Sequence, residues 1–259
     1  MVQAVVIPPP FCHLSHPDLS PLYLIYAIVL TYIDVSDSSL IYLAKLSELK
    51  VLSLLFCNIT NLGLRHIGKM SQLEVLNLDS RDISDYGLKH LEKLEHLKTL
   101  DLFSSRITDM GCFKLSKIKS LETLELCGGG IGDVGCSHLS RLQNLTVLNL
   151  AQNEGITNRG AAALSSLKKL TSLNLSHTRV SSDALVHLNR LKKLESLALY
   201  GCGEATDRAR LERLQSRLPN LRCVRTEKVP ENQGIVHDRS EHYSSSGSTG
   251  SEDMDVGYD

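Results

Sequence analysis

From Leu49 onward the sequence repeats itself. The hexad LxxLxL leads seven complete units, at Leu49, Leu73, Leu97, Leu121, Leu145, Leu170 and Leu194, and Leu221 opens a half-unit; the steps are 24, 24, 24, 24, 25, 24 and 27 residues. One unit, "LKTLDLFSSRITDMGCFKLSKIKS" from Leu97 to Ser120, changes its apolar period halfway. Its first part alternates every second residue, as a half-buried strand does. Its second part spaces apolar residues by three or four, as an amphipathic helix does. A strand–helix unit this short cannot bury its own leucines. Stacked on its neighbours it closes them into a continuous ladder, and stability becomes a sum of intrinsic and nearest-neighbour contributions. The period therefore predicts a coil, with its strands side by side in one parallel sheet and its helices returning behind them.

The second half of each unit agrees with this. An apolar anchor follows the strand, at Ile59, Ile83, Ile107, Ile131, Ile156 and Val180. A Ser, Thr, Asp or Asn then stands where the helix starts and can accept from a first-turn amide; Ser84-Asp85 and Thr108-Asp109 are the clearest pairs. Gly63, Gly87, Gly111, Gly135 and Gly160 come next, where the backbone is expected to pack against the following unit. Lys93, Lys117, Lys119, Lys168 and Lys169 gather near the helix ends, where cations suit the negative pole. Cys112 and Cys136 replace Leu64 and Leu88 and read as small apolar fillers.

These units resemble the intracellular leucine-rich-repeat proteins of plants, with their LxxLxLxxxxITDxGLxxLxxLxx unit, most closely from Asn77 to Glu227. The resemblance implies an α/β leucine-rich-repeat solenoid, a right-handed curved coil with a parallel β-sheet on its concave face and helices on its convex face. It implies a protein-binding module rather than an enzyme, acting as an adaptor or scaffold. The same unit occurs in F-box proteins, where the repeats capture a substrate for a cullin-based ubiquitin ligase. That alternative would bring a Skp1/cullin complex as partner. The 29 residues before Leu30 show no F-box pattern, and the GxIP signature of receptor-kinase repeats is absent.

Composition narrows the partners. The net charge is −1, so neither nucleic acid nor an anionic membrane is expected as a ligand. Seven cysteines without a CxxC argue against a zinc site or a disulfide framework, and for reduced thiols in cytoplasm or nucleus. The first basic residue is Lys45, which argues against a secretory signal. "LSPLYLIYAIVLTYI", Leu19 to Ile33, holds Pro21 and is shorter than the ~20 residues of a membrane span. Residues 1–29 are expected to form an apolar cap, or a truncated or mis-joined end. Residues 30–225 form the repeat domain, with a shortened unit at 30–48 opening on "LTYIDV", complete units over 49–220 and a C-terminal cap over 208–225. Residues 226–259, rich in Ser, Gly and acid, are expected to be disordered.

Numbering a unit L1-x-x-L4-x-L6-x-x-x-x-I11, positions four, six and eleven point inward. Alternation sends positions three, five, seven, eight and ten to the concave face. Position five reads Asp34, Ser53, Asn77, Asp101, Glu125, Asn149, Asn174 and Ala198, a polar row with Asp101 beside Glu125. Position seven adds Asp79, Phe103 and Tyr200, position eight His177, and position ten Arg106 and Arg179. Leaving out Asp34, Ser53 and Ala198, these are the eleven residues of the candidate partner-binding set. Asp79, Asp101 and Glu125 form an acidic floor, with Phe103 and the two arginines as anchors of the kind that dominates interfaces. A like-charged cross-strand pair is destabilising, so a basic peptide or an Arg- or Lys-bearing surface is the expected partner; the alternative is a plain solvated face. Gly128 to Gly130 should leave a dip flanked by Phe103. "CGGGIGD" lacks the Lys-Ser/Thr of a phosphate loop. No catalytic constellation, metal set or cofactor is expected.

Overall fold

The computed structural model describes residues 3–7, 26–31, 35–80, 82–203 and 207–226. The expected disorder of residues 226–259 falls, but for Thr226, outside the described residues, as does Asp34.

Ten strands lie in one sheet in chain order: β1 (Gln3–Ile7), β2 (Ala27–Thr31), β3 (Val51–Leu55), β4 (Val75–Asn77), β5 (Thr99–Asp101), β6 (Thr123–Glu125), β7 (Val147–Asn149), β8 (Ser172–Asn174), β9 (Ser196–Ala198) and β10 (Cys223–Arg225). From β2 to β10 every neighbour is parallel; β1 alone runs antiparallel, against β2. The helices between them are short: α1 (Leu40–Leu43), α2 (Leu64–Ile67), α3 (Asp85–Leu88), α4 (Asp109–Leu115), α5 (Asp133–Leu139), α6 (Asn158–Leu164), α7 (Leu185–Leu188, after a 3₁₀ turn at Ser182–Ala184) and α8 (Arg208–Arg217). This is an α/β repeat solenoid. None of its helices is long and apolar enough to cross a membrane among the described residues.

The ladder is as dry as the repeat demands. Leu97, Leu100, Leu102, Ile107, Leu121, Leu124, Leu126 and Ile131 all belong to one core that runs from Ile28 to Leu221. Each such side chain contributes about 1.5–3 kcal/mol by leaving water. The first unit departs from the reading that started it at Leu30. β2 pairs Ile28 with Leu52 and Leu30 with Leu54. Those are positions four and six, so position one falls at residue 25, a full 24 residues before Leu49. Val35 and Leu40 then fill positions eleven and sixteen and are buried.

The helix starts hold a second ladder, made of polar atoms. Position thirteen carries Asp37, Asn61, Asp85, Asp109 and Asp133, and Asn158 takes the same place in the unit from Leu145, which is one residue longer. Each reaches forward into the next unit. Asp109 Oδ1 accepts from the Gly132 and Gly135 amides, both at 2.8 Å. Asp133 Oδ1 does the same for Thr157 and Gly160, and Asn61 Oδ1 for Ser84 and Gly87 at 3.0 and 3.1 Å. These amides are the ones a helix start leaves unpaired. The glycines are thereby explained, with a change of direction: they pack against the preceding unit, not the following one. A Cβ on Gly135 would meet Asp109 Oδ1 at 2.5 Å and Cys112 Sγ at 3.1 Å, and one on Gly111 would meet Asp85 Oδ1. Thr108 and Thr157 cap their own helices through Met110 and Arg159. The Ser84 hydroxyl instead accepts from Asn61 Nδ2 at 2.9 Å.

Candidate binding surface

Position five behaves as the register predicts. Asn77, Asp101, Glu125, Asn149 and Asn174 are successive cross-strand partners, with Asp101 directly opposite Glu125. All five are half-buried. Their side chains also have local work that the sequence did not reveal. The ladder uses the amides of positions six and eight, as Leu102 to the Glu125 carbonyl and Ser104 to the Cys127 carbonyl. The amide of position seven is left over. Asp101 accepts it from Phe103 at 3.0 Å, Asn149 from Ala151 at 3.0 Å and Asn174 from Ser176 at 2.9 Å. Asn149 Nδ2 then donates to Glu125 Oε2 at 2.9 Å, tying two members of the row together.

Position seven is where the expectation fails. Phe103 is 3% exposed and Asp79 6% exposed. Phe103, Cys127 and Ala151 form a small buried cluster of their own, apart from the main core. Alternation chose the right side of the sheet but not the right environment. At position eight the backbone turns left-handed, at Phe56, Ser104, Gly128, Gln152, His177 and Gly201, while the ladder continues through that residue's amide. Phe103, Cys127, Ala151 and Ser176 at position seven are buried beside such a turn and Asp79 is buried as well, while Leu55 and Tyr200 stay half-buried. Phe103 and Asp79 were expected on the open face and are buried instead. The glycine dip is open at Gly128 and Gly130, where an added Cβ meets nothing closer than 3.5 Å, but Phe103 lies buried rather than on its rim.

Position ten divides. Arg106 is exposed. Arg179 is exposed too, but its Nε donates to the Glu154 carbonyl at 2.7 Å, which pins the side chain along the surface. His177 and Tyr200 meet edge to face, ring centroids 4.8 Å apart. They sit by β8 and β9, three and four strands from Asp101, so His177 is roughly 15 Å away at sheet spacing. The structure thus joins Asn77, Asp101, Glu125, Asn149 and Asn174 in one row, pairs His177 with Tyr200, and removes Phe103 and Asp79 from the open face.

The polar residues between strand and anchor went unread. Asn153, fully buried, donates from Nδ2 to the Leu126, Leu150 and Ala151 carbonyls and accepts from the Ile131 amide. Ser105, Thr178 and Cys202 at the same position bond to carbonyls of Ser80 and Leu175. Their recurrence nine residues into the unit was the signal.

Cys112 and Cys136 are fully buried, and burial pushes both thiols up, Cys136 to about 12. They are fillers of the helix face. The lysines split. Lys119 and Lys168 reach helix-end carbonyls of Ser116 and Ser165 at 2.6 Å, as expected. Lys117 pairs with Glu92 and Lys169 with Asn144, and Lys93 makes no side-chain hydrogen bond or ion pair among the described residues. No group of three or more metal-ligating side chains converges among the described residues.

Against known proteins, a family model described as a leucine-rich repeat region matches residues 73–246. No curated protein matches. Among solved structures, internalin C2 of Listeria monocytogenes shares 25% identity over 80% of this chain and 82% of its own, with a TM-score of 0.62. The Listeria monocytogenes internalin inlF is 21% identical over 78% of this chain and 61% of its own, TM-score 0.58. The plant peptide hormone receptor RGFR1, solved in complex with RGF2, is 15% identical over 78% of this chain and 32% of its own, TM-score 0.54. The match to the family model spans more than half of the sequence, and the chain belongs to the leucine-rich-repeat family.

Proposed function

We propose that this chain is a non-catalytic protein-interaction module, an intracellular adaptor or scaffold that holds its partner on the solvent face of the sheet. The family supports protein–protein interaction in general. The observation that carries the choice of face is the direct pairing of Asp101 with Glu125 at the middle of the polar row. The acidic character of this rung favours a partner that brings an Arg or Lys side chain to it. Arg106 on one side, and His177 with Tyr200 farther along, extend the contact set; Phe103 and Asp79 leave it. The cysteine pattern, seven without a CxxC, supports the cytoplasm or nucleus as its place.

The structure supplies a clean test. Asn149 and Asn174 hold the position-seven amide with a neutral side chain, so Asp101→Asn removes the charge while leaving an acceptor for the Phe103 amide. Affinity capture with the full chain is compared between wild type and Asp101→Asn with Glu125→Gln. Partners lost in the double variant support the reading; a partner set bound unchanged ends it. A Skp1-like adaptor and a cullin among the captured proteins would make the chain a substrate-recognition component of a ubiquitin ligase, and their absence would leave it an adaptor.

A further inference from the structure

The helix starts present an apolar strip that the fold does not use. Position fourteen, the residue between the capping acid and the glycine, is Leu62, Tyr86, Met110 and Val134 in four successive units. Their exposures are 72%, 79%, 61% and 58%, and none belongs to either buried cluster. Single exposed apolar residues are ordinary, but a contiguous line of them marks an interaction site. The line is contiguous because the bridges Ser84↔Arg106 and Thr108↔Gly130 hold neighbouring units at sheet spacing just before it. The four residues therefore cover roughly 15 Å at about 4.8 Å per unit. Phe113, 39% exposed, stands one helical turn from Met110 and widens the strip there.

Cations flank the strip on its helical side. Arg65 and Lys89 stand one turn after Leu62 and Tyr86, and Lys69 and Lys93 one turn further. All four are exposed, and none makes an ion pair or side-chain hydrogen bond among the described residues. Of the acids around them, Asp85 and Asp109 accept from amides of the next unit and Glu92 pairs with Lys117; Glu95, two residues from Lys93, is exposed.

We propose that the strip Leu62–Tyr86–Met110–Val134 with Arg65, Lys69, Lys89 and Lys93 is a second docking site, for an acidic amphipathic segment of a partner protein. A helix of about ten residues is ~15 Å long, the length of the strip. Its apolar face would cover position fourteen and its carboxylates would face the two rows of cations. A strip one side chain wide with charge on one flank fits a linear segment better than a planar membrane.

The test uses the full chain and a fluorescent helical peptide with a leucine face and glutamates beside it, read by anisotropy. A control peptide carries the same leucines with lysines. The acidic peptide is expected to bind at least tenfold more tightly than the basic one. Binding should weaken at least tenfold in Leu62→Ser with Tyr86→Ser, and again in Arg65→Glu with Lys89→Glu. Because these side chains are exposed, both variants should unfold at the wild-type midpoint, and a variant that does not is replaced by Met110→Ser with Lys93→Glu. Equal binding of the two peptides, or binding untouched by the variants, overturns the proposal. So does binding only to anionic vesicles, or self-association of the chain that the Leu62→Ser, Tyr86→Ser variant abolishes.

Discussion

Two rows of side chains repeat along this molecule, and they have opposite relations to the fold. Position five on the sheet is polar and looks free in the sequence, yet Asp101, Asn149 and Asn174 each hold a backbone amide of their own unit. Position fourteen at the helix starts is apolar and looks structural, yet Leu62, Tyr86, Met110 and Val134 stand in solvent. Periodicity alone therefore does not separate framework from function. The useful question is which atoms would be left unpaired, or which cavity opened, if the side chain were removed.

The sharpest break of this comparison lies beneath the polar row. Phe103→Ala should cost about 3–5 kcal/mol, as loss of a buried aromatic does, seen as a fall in the urea midpoint. A change within 0.5 kcal/mol would return Phe103 to the open face. Asn149→Ala should cost about 1–3 kcal/mol, because the Ala151 amide and Glu125 both lose a partner; Asn149→Asp should keep the amide bond but not recover the stability, because it sets a second carboxylate against Glu125. A smaller effect is expected from the ion pairs of position two. Lys98 and Lys50, at 2.8 and 2.9 Å, hold the Glu74 carboxyl at about 2, below its ordinary 4.5. The depressed value means that this contribution is complete above pH 4.5 and is lost as the pH falls through about 2. Being exposed and screened by salt, it should be slighter than the Asn149 effect. Titrating the urea midpoint of wild type against Glu74→Gln between pH 5 and pH 2 reads it. Least of all, Tyr86→Ser or Met110→Ser should move the midpoint by less than about 0.5 kcal/mol. A larger loss would make the strip part of the framework.

The coil was legible because its cause is written in every unit. Positions one, four, six, eleven and sixteen are apolar at fixed offsets, and one residue of slip would turn the strand face over. Position seven was misread because the left-handed turn beside it leaves little trace. Gly128 and Gly201 advertise that backbone, but Phe56, Ser104, Gln152 and His177 adopt it without glycine. The first unit hid its register because residue 25, where the leucine should stand, is isoleucine, while Leu30 offered a competing start. The row of Asp101 and Glu125 was predicted from spacing alone, and they are cross-strand partners. What spacing could not supply was the second use of those side chains, since a hydrogen bond to an amide two residues on depends on the turn that follows.

The carboxylates and amides of position thirteen reach in one direction only, each serving the coil after it. The solenoid therefore has a grain. Trimmed from the C-terminal end, it would keep every remaining latch closed and leave one acid idle. Trimmed from the N-terminal end, it would present bare helix-start amides at whichever coil came first, so erosion from that side should run ahead of erosion from the other.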